Sequence, residues 1–196
     1  MLEYLTANWM DLLGTTLGLL YLYLEMKENA WMWVVGSVMP VIYIFVLYKA
    51  GLYADCGMEV YYFLAGLYGL AVWLSGNRKE EKRLRISHAP RSTKSMCWIT
   101  MTILWMALGT MLDRFTDSTV PYIDGFTTAA SIVGLWMLSR KYIEQWWVWL
   151  VVDAVSTALY VYKGIYGRAT LYLIYTAIAT YGYFVWKARM ARQTKG

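Results

Sequence analysis

The sequence predicts an all-α integral membrane protein with seven transmembrane helices in a single transmembrane domain. Of its 196 residues, 59% are hydrophobic and only 16% are charged, against about 25% charged in soluble domains. The charges gather between apolar runs of roughly 17 to 21 residues, the length that a helix needs to cross a bilayer. An internal repeat divides the seven spans into two sets of three, with one helix between them.

Each predicted helix is an apolar run that ends where polar residues interrupt it. In chain order, the predicted spans cover residues 4–24, 31–48, 56–74, 96–112, 122–138, 146–162 and 169–186. The long interruption at 76–95 contains no apolar run, so it is interpreted as a loop.

The loop 76–95 gives the predicted orientation, because it is strongly basic (GNRKEEKRLRISHAPRSTKS). The positive-inside rule places such a loop in the cytoplasm, and alternation then places the amino terminus outside and the carboxyl terminus inside. With this topology, 14 of the 18 Lys and Arg residues lie on the cytoplasmic side. The net charge of +5 therefore reflects membrane topology, and no nucleic-acid partner is predicted.

The internal repeat has an offset of 113 residues. The matching segments are 51–53 with 164–166, Tyr62 with Tyr175, 68–69 with 181–182, 72–73 with 185–186 and, after a one-residue gap, 48–49 with 162–163. The third span then corresponds to the seventh, the second to the sixth and the first to the fifth. The fourth span, 96–112, is left as a linker. Because it crosses the membrane once, the halves 1–75 and 122–187 are predicted to be parallel repeats.

The sixth span carries the strongest candidate for a binding site, because a carboxylate lies in the middle of it. In a helix, five side chains spaced at i, i+3, i+7, i+10 and i+14 share one stripe: Trp146, Trp149, Asp153, Ser156 and Tyr160. Asp153 is seven residues inside its span, too deep to reach the interface, so it needs a cation or another partner. Indole faces also attract cations, and the stripe therefore predicts a pocket for a flat, positively charged small molecule.

A second stripe, on the third span, contains Glu59 and Tyr62, followed at helical spacing by Gly66, Gly69 and Trp73. Glu59 and Tyr62 are therefore included among the predicted ligand contacts. Glu59 lies about one turn from the outer end of its span, so an interfacial carboxylate without a ligand is an equal alternative.

No catalytic arrangement is found, and neither an enzyme activity nor a cofactor is predicted. The spans contain no histidine, which an intramembrane serine protease would need, and the H-E-x-x-H helix of a metalloprotease is absent. No metal site is expected either, because Cys56 and Cys97 are far apart and the single histidine, His88, has no second His or Cys beside it. His88 is predicted to be a solvated loop residue without a ligand or catalytic role.

The motif Glu144-x-Trp146-x-x-Trp149-x-x-x-Asp153, followed by Tyr-Lys-Gly-Ile-Tyr at 162–166, resembles the PnuC-type bacterial vitamin transporters, and the resemblance covers nearly the whole chain. It implies a 3+1+3 bundle similar to the SWEET sugar transporters, assembled as a homotrimer in the bacterial inner membrane. It also implies facilitated diffusion of an unphosphorylated vitamin, which a cytoplasmic kinase traps inside the cell.

Two positions bear on the substrate that the resemblance implies. The nicotinamide riboside members are expected to have an amide at the position of Asp153 and Gln at that of Glu59, whereas this chain has carboxylates. Carboxylates favour a ligand with a fixed cation and hydrogen-bond donors. The thiamine branch, PnuT, is therefore the first expectation, and nicotinamide riboside is the alternative. A membrane receptor or scaffold without transport, with loop 76–95 as its docking surface, is the alternative of a different class.

Overall fold

Seven α-helices form most of the computed structural model, which describes residues 9–49, 51, 53–76 and 84–193. In chain order they are α1 (Trp9–Met26), α2 (Trp31–Lys49), α3 (Tyr53–Gly76), α4 (Arg91–Phe115), α5 (Pro121–Ser139), α6 (Gln145–Tyr162) and α7 (Tyr166–Gln193). The expectation of an all-helical fold is confirmed. Residues 4–8 of the first predicted span and residues 77–83 of the basic loop lie outside the described residues.

Each helix from α2 to α7 covers one of the predicted apolar runs, and α1 covers the described part of the first run. Several helices extend beyond their run. α4 has 25 residues and α7 has 28, so both are longer than the roughly 20 residues that cross a bilayer core. By length and composition, three stretches among the described residues are able to span a membrane: Trp31–Lys49, Cys56–Ser75 and Arg91–Phe115. α6 contains one carboxylate together with three Trp and two Tyr side chains.

The helices pack in chain order within two compact units, Met1–Leu84 and Arg85–Gly196. In the first unit, α2 packs against both α1 and α3. In the second unit, α4 packs against α5, α5 against α6, and α6 against α7. The helix that was expected to stand alone as a linker, α4, therefore belongs to the second unit and packs along α5.

Glycines let α4 and α5 approach each other closely. A Cβ atom on Gly125 would lie 2.7 Å from the backbone nitrogen of Gly109, so the two backbones are in contact here. Nearby, the Trp105 indole Nε1 donates a 2.7 Å hydrogen bond to the Tyr122 carbonyl, and the Trp105 ring meets that of Phe126 edge to face at 5.2 Å. Small residues combined with a polar contact are a usual means of association for membrane helices.

Two buried tryptophans join α2 to α3 in the first unit. Trp33 and Trp73 are each 2% exposed and meet edge to face, with ring centroids 5.8 Å apart and an interplanar angle of 87°. Gly69, about one turn before Trp73, provides the space for the Trp33 ring, since a Cβ atom there would lie 2.5 Å from it. The absence of a side chain at Gly69 is therefore what lets the tryptophan pair form.

The same arrangement joins α6 to α7 in the second unit. Trp146 and Trp186 meet edge to face at 5.6 Å and 87°, and a Cβ atom on Gly182 would lie 2.5 Å from the Trp146 ring. Each of these three residues lies 113 positions after its counterpart in the first unit.

The turns of the two units also correspond at this offset. Glu28 and Lys141 both have a φ of 54°, and Gly51 and Gly164 have φ values of 74° and 72°. Glycine adopts this left-handed conformation without the penalty that a side chain brings, which suits Gly51 and Gly164 to the reversals after α2 and α6. Because the two segments between these turns have equal lengths, the one-residue gap predicted between 48–49 and 162–163 is wrong.

Each unit has a contact between an aromatic ring and a glycine, and the helices that supply the two partners are reversed between the units. On α2, a Cβ atom on Gly36 would lie 2.9 Å from the ring of Tyr21, which belongs to α1. On α5, a Cβ atom on Gly134 would lie 3.4 Å from the ring of Trp149, which belongs to α6. The aromatic side chain therefore comes from the first helix of the pair in one unit and from the second helix in the other.

Candidate functional site

Asp153 lies near the middle of α6 and is only 7% exposed. Its helix packs against both α5 and α7. Ser156, about one turn further along α6, is also 7% exposed, so both residues lie on the buried side of the helix, where the predicted stripe puts them. The backbone carbonyl of Asp153 accepts a 2.8 Å hydrogen bond from the Thr157 hydroxyl. α6 thus holds a carboxylate and a hydroxyl on one buried face.

Two tyrosines of α7, Tyr172 and Tyr175, lie within electrostatic range of the Asp153 carboxylate. Tyr172 also stacks on Tyr160 of α6, with ring centroids 5.3 Å apart and an interplanar angle of 25°. The Tyr172 and Tyr175 rings meet edge to face at 5.8 Å. The structure therefore adds Tyr172 and Tyr175 to the surroundings of Tyr160 and Asp153, and neither was among the predicted ligand contacts.

A signal for Tyr172 and Tyr175 is nevertheless present in the repeat. They lie 113 positions after Glu59 and Tyr62, the two polar residues singled out on the third span. A helical stripe contains residues of one helix only, so it does not identify the groups that a neighbouring helix contributes.

Trp149 has an indole Nε1 that is buried and has no hydrogen-bond partner among the described residues. Its ring packs against Gly134 of α5. A buried donor without a partner is unfavourable, and a ligand with an acceptor group would satisfy it. Trp149 therefore stays a predicted ligand contact, with a specific atom to offer.

Trp146 has a different environment from the rest of its stripe. It is 1% exposed, and its ring is held between Gly182 and Trp186 of α7. These contacts account for the ring by helix packing, while its Nε1, like that of Trp149, is buried without a hydrogen-bond partner among the described residues. A direct ligand contact from Trp146 stays a prediction.

Glu59 and Tyr62 lie on α3, in the first unit. Glu59 acts electrostatically on Tyr62, so the two side chains are close together, as their spacing on one helix face predicts. The Tyr62 ring also meets that of Tyr61 edge to face at 5.5 Å. Their contribution to the ligand site stays a prediction.

Glu144, the residue before α6, binds the loop that precedes α4. Its Oε1 lies 2.9 Å from His88 Nδ1 and 2.7 Å from Lys94 Nζ, and its Oε2 accepts a 3.0 Å hydrogen bond from the Ala89 N–H. Burial raises the pKa of this carboxyl, but the hydrogen bonds from Lys94, Ala89 and His88 outweigh burial and hold the pKa below its usual range.

The contact with Glu144 gives His88 a structural partner that the sequence analysis did not predict. The His88 side chain is 62% exposed, as a loop residue would be, yet it binds a carboxylate 56 residues later in the chain. Backbone hydrogen bonds support the contact, from the Ser87 N–H to the Lys141 carbonyl at 3.2 Å and from the Ile143 N–H to the Ser87 carbonyl at 3.0 Å. The loop folds back onto the turn before α6, which spacing along the sequence does not reveal.

The second unit therefore combines a buried carboxylate, phenol hydroxyls and aromatic faces. Such groups bind an aromatic molecule that carries a positive charge and hydrogen-bonding substituents. Within the described parts of the chain, no group of three or more His, Cys, Asp or Glu side chains is arranged to hold a metal ion.

Comparison with known proteins gives a family match over most of the sequence. The profile of the family described as "Nicotinamide mononucleotide transporter" matches residues 8–188. The "Nicotinamide riboside transporter PnuC" of Escherichia coli is 23% identical over 204 residues, which cover 91% of this chain and 85% of that protein. The "Riboflavin/roseoflavin transporter RibM" of Streptomyces davaonensis is 24% identical over 189 residues, which cover 95% of this chain and 88% of that protein.

A solved structure, described as "Crystal structure of the Vitamin B3 transporter PnuC", has a similar fold. Its TM-score with this chain is 0.74, and the superposition covers 97% of this chain and 85% of that one. The sequence identity is 19%, so the likeness concerns the fold.

Proposed function

Because the chain belongs to the nicotinamide mononucleotide transporter family, whose profile matches residues 8–188, we propose that it carries a positively charged vitamin across the bacterial inner membrane. Nicotinamide riboside is the first candidate. Members of this family are transporters, and the helices of this chain are those of a multi-pass membrane protein. The observation that carries the proposal is the buried carboxylate of Asp153 among tyrosine rings.

The order of the two vitamin candidates differs from the sequence-based expectation, which favoured thiamine. Relatives over nearly the whole chain are named for nicotinamide riboside and for riboflavin, at 23% and 24% identity. Relatives at this identity therefore differ in substrate. Riboflavin has no fixed cation to pair with Asp153, whereas nicotinamide riboside and thiamine both have one. Thiamine is kept as the second candidate, because a carboxylate at this position suits it equally well.

In the proposed complex the charged ring of the vitamin lies near the Asp153 carboxylate, which neutralises it. Trp149 and Tyr160 contribute ring faces, while Ser156, Tyr172 and the Trp149 N–H are positioned to hydrogen-bond polar substituents. Tyr175, Trp146, Glu59 and Tyr62 complete the predicted set of contacts. Each of these groups binds the substrate non-covalently, and none is assigned a catalytic role.

The transport cycle that we propose is facilitated diffusion, with trapping of the product by a cytoplasmic kinase. The amino terminus is proposed to lie outside and the carboxyl terminus in the cytoplasm, on the evidence of the basic loops. We further propose a SWEET-like 3+1+3 architecture of parallel repeats assembled as a homotrimer. The repeat is supported by the tryptophan pairs and the turns that recur at an offset of 113 residues.

Substituting Asp153→Asn tests the proposed role of the carboxylate. Losing the charged partner of a desolvated pair costs about 2–5 kcal/mol, so nicotinamide riboside should bind roughly 30-fold more weakly or worse. Isothermal titration of the purified protein measures the change. Asp113→Asn is the matched control, because it makes the same replacement at an exposed position on α4. Parent-like affinity in Asp153→Asn would place the cation elsewhere, and Glu59→Gln would be the next variant to titrate.

The vitamin itself is identified by titrating the parent protein with nicotinamide riboside, thiamine and riboflavin under one set of conditions. We expect nicotinamide riboside to bind most tightly and riboflavin to bind weakly. Tight thiamine binding without nicotinamide riboside binding would reverse the order of the candidates. Tight riboflavin binding would contradict the proposed role of Asp153.

Reconstitution into liposomes distinguishes a transporter from a receptor or scaffold. At zero membrane potential, a facilitator equilibrates labelled vitamin across the bilayer and does not concentrate it, whether or not a pH or sodium gradient is present. Accumulation above the outside concentration that requires such a gradient at zero membrane potential would contradict facilitated diffusion. Binding without any uptake would support the receptor or scaffold.

A further inference from the structure

Arg168, the third residue of α7, contacts Tyr160 at the end of α6. Its guanidinium carbon lies 5.7 Å from the centroid of the Tyr160 ring, and its Nη1 is 3.5 Å from the Tyr160 hydroxyl. The 5.7 Å distance to the ring centroid is within the range of a cation–π interaction. The ring of a predicted ligand contact is thus already in contact with a cation.

From this contact, aromatic rings continue to the buried carboxylate. Tyr160 stacks on Tyr172, Tyr172 meets Tyr175, and both tyrosines of α7 lie within electrostatic range of Asp153. Asp153 lies seven residues from Tyr160 along α6, about 10 Å at the helical rise of 1.5 Å per residue. The rings therefore line the distance between an exposed arginine and the proposed cation site.

We infer that Arg168 is a built-in competitor for the cationic ligand, because its guanidinium interacts with the Tyr160 ring, which the proposed function assigns to the ligand as a contact. The inference rests on the proposed function and adds to it a residue that sets selectivity and affinity. Arg168 is exposed, and its long side chain has several rotamers available when a ligand arrives. Its positive charge also acts on the Tyr172 hydroxyl, and it therefore opposes a second cation near either ring.

The competition predicts an effect that depends on the charge of the ligand. An exposed cation–π contact is weak, so its removal should strengthen binding of a cationic ligand by about two- to fivefold. An uncharged ligand of the same shape should not gain, because it does not compete for a cation-binding ring face. A purely structural Arg168, which would only hold the ends of α6 and α7 together, should instead affect both ligands equally.

The test compares Arg168→Gln and Arg168→Lys with the parent protein. Each is titrated with nicotinamide riboside and with its hydride-reduced form, whose ring is uncharged. We expect Arg168→Gln to bind nicotinamide riboside about two- to fivefold more tightly and to bind the reduced form as the parent does. Arg168→Lys keeps the charge and should remain close to the parent. Arg114→Gln, at an exposed arginine in the last turn of α4, is the matched control and should change neither affinity.

Equal shifts in affinity for the two ligands, or an unchanged affinity of Arg168→Gln for nicotinamide riboside, would overturn the inference about Arg168 and leave the proposed function standing. If the parent protein does not bind nicotinamide riboside, both the inference and the first candidate of the proposed function fail. Melting temperatures of all variants, measured in detergent, show whether a loss of affinity comes from a loss of fold. A lower melting temperature in Arg168→Gln with weaker binding of both ligands would establish the structural role instead.

Discussion

Replacing Gly182 by alanine tests whether the tryptophan pair of α6 and α7 is a rigid part of the fold. The new Cβ atom would lie 2.5 Å from the Trp146 ring, a separation that real Cβ contacts essentially never show. Either the ring or the helix must then move. The Trp146 ring is 1% exposed and lies against Trp186, which is 0% exposed, so the ring has little room to yield.

The expected loss of stability follows from two opposing effects. Overpacking of a close-packed interior costs about 1–3 kcal/mol. Alanine is favoured over glycine inside a helix by roughly 0.5–1 kcal/mol, which offsets part of that cost. Overpacking is the larger effect, and we expect Gly182→Ala to lower the free energy of unfolding by about 1 kcal/mol or more.

Thermal unfolding of the detergent-purified protein, followed by tryptophan fluorescence, measures this loss. Gly69→Ala is a second test of the same geometry, since its Cβ atom would lie 2.5 Å from the Trp33 ring. Gly57→Ala on α3 is the control, because a Cβ atom there has no neighbour within 4 Å. This control should melt at the parent temperature or slightly above it.

Parent-like melting of both Gly182→Ala and Gly69→Ala would refute the reasoning. The rings would then have to relax without cost, and Trp146 would be mobile enough to serve mainly as a ligand contact. A loss in Gly182→Ala alone would show that the two tryptophan pairs differ in rigidity despite their equal geometry.

Two further predictions concern the second unit. Gly125→Ala should destabilise the protein by about 3 kcal/mol or more in the same melting assay, because its Cβ atom would meet the Gly109 backbone, which cannot rotate away. Glu144 should stabilise the protein fully above the ordinary Glu pKa of about 4.3. Its stabilisation should be lost as the pH falls through the lowered pKa of the folded state, since protonation removes the charge that Lys94 and His88 bind. Glu144→Gln should therefore melt lower than the parent at pH 7 and approach it in acid. A constant difference at every pH would contradict this role, and so would Gly125→Ala melting at the parent temperature.

The helices could be predicted from the sequence, because an apolar run of membrane length is a local signal. The sequence also located Asp153 and Ser156 on one buried face, since helical spacing along a single segment decides which residues share a stripe. The same reasoning assigned Trp146 to the ligand stripe without showing that Gly182 and Trp186 of α7 surround it. Which neighbour a helix face meets depends on tertiary packing, and a stripe contains no information about packing.

The loop before α4 could not be predicted for a related reason. His88 and Glu144 are 56 residues apart, and no periodic pattern links a loop histidine to a carboxylate that precedes a helix. Tyr172 and Tyr175 have a signal in the sequence, because the predicted repeat relates them to Glu59 and Tyr62. The predicted repeat therefore indicates site residues as well as topology.

The exchanged contacts of Tyr21 with Gly36 and of Gly134 with Trp149 restrict how the two halves can change. Each contact pairs one bulky ring with one glycine, and only the helix that supplies the ring differs. No single substitution converts one pair into the other, because enlarging the glycine first creates an overlap, while trimming the ring first leaves a void. Under the proposed repeat, the two halves parted through a less stable intermediate at this point. Reversal would need two coordinated steps, so each half is now locked into supplying its aromatic ring from its own helix.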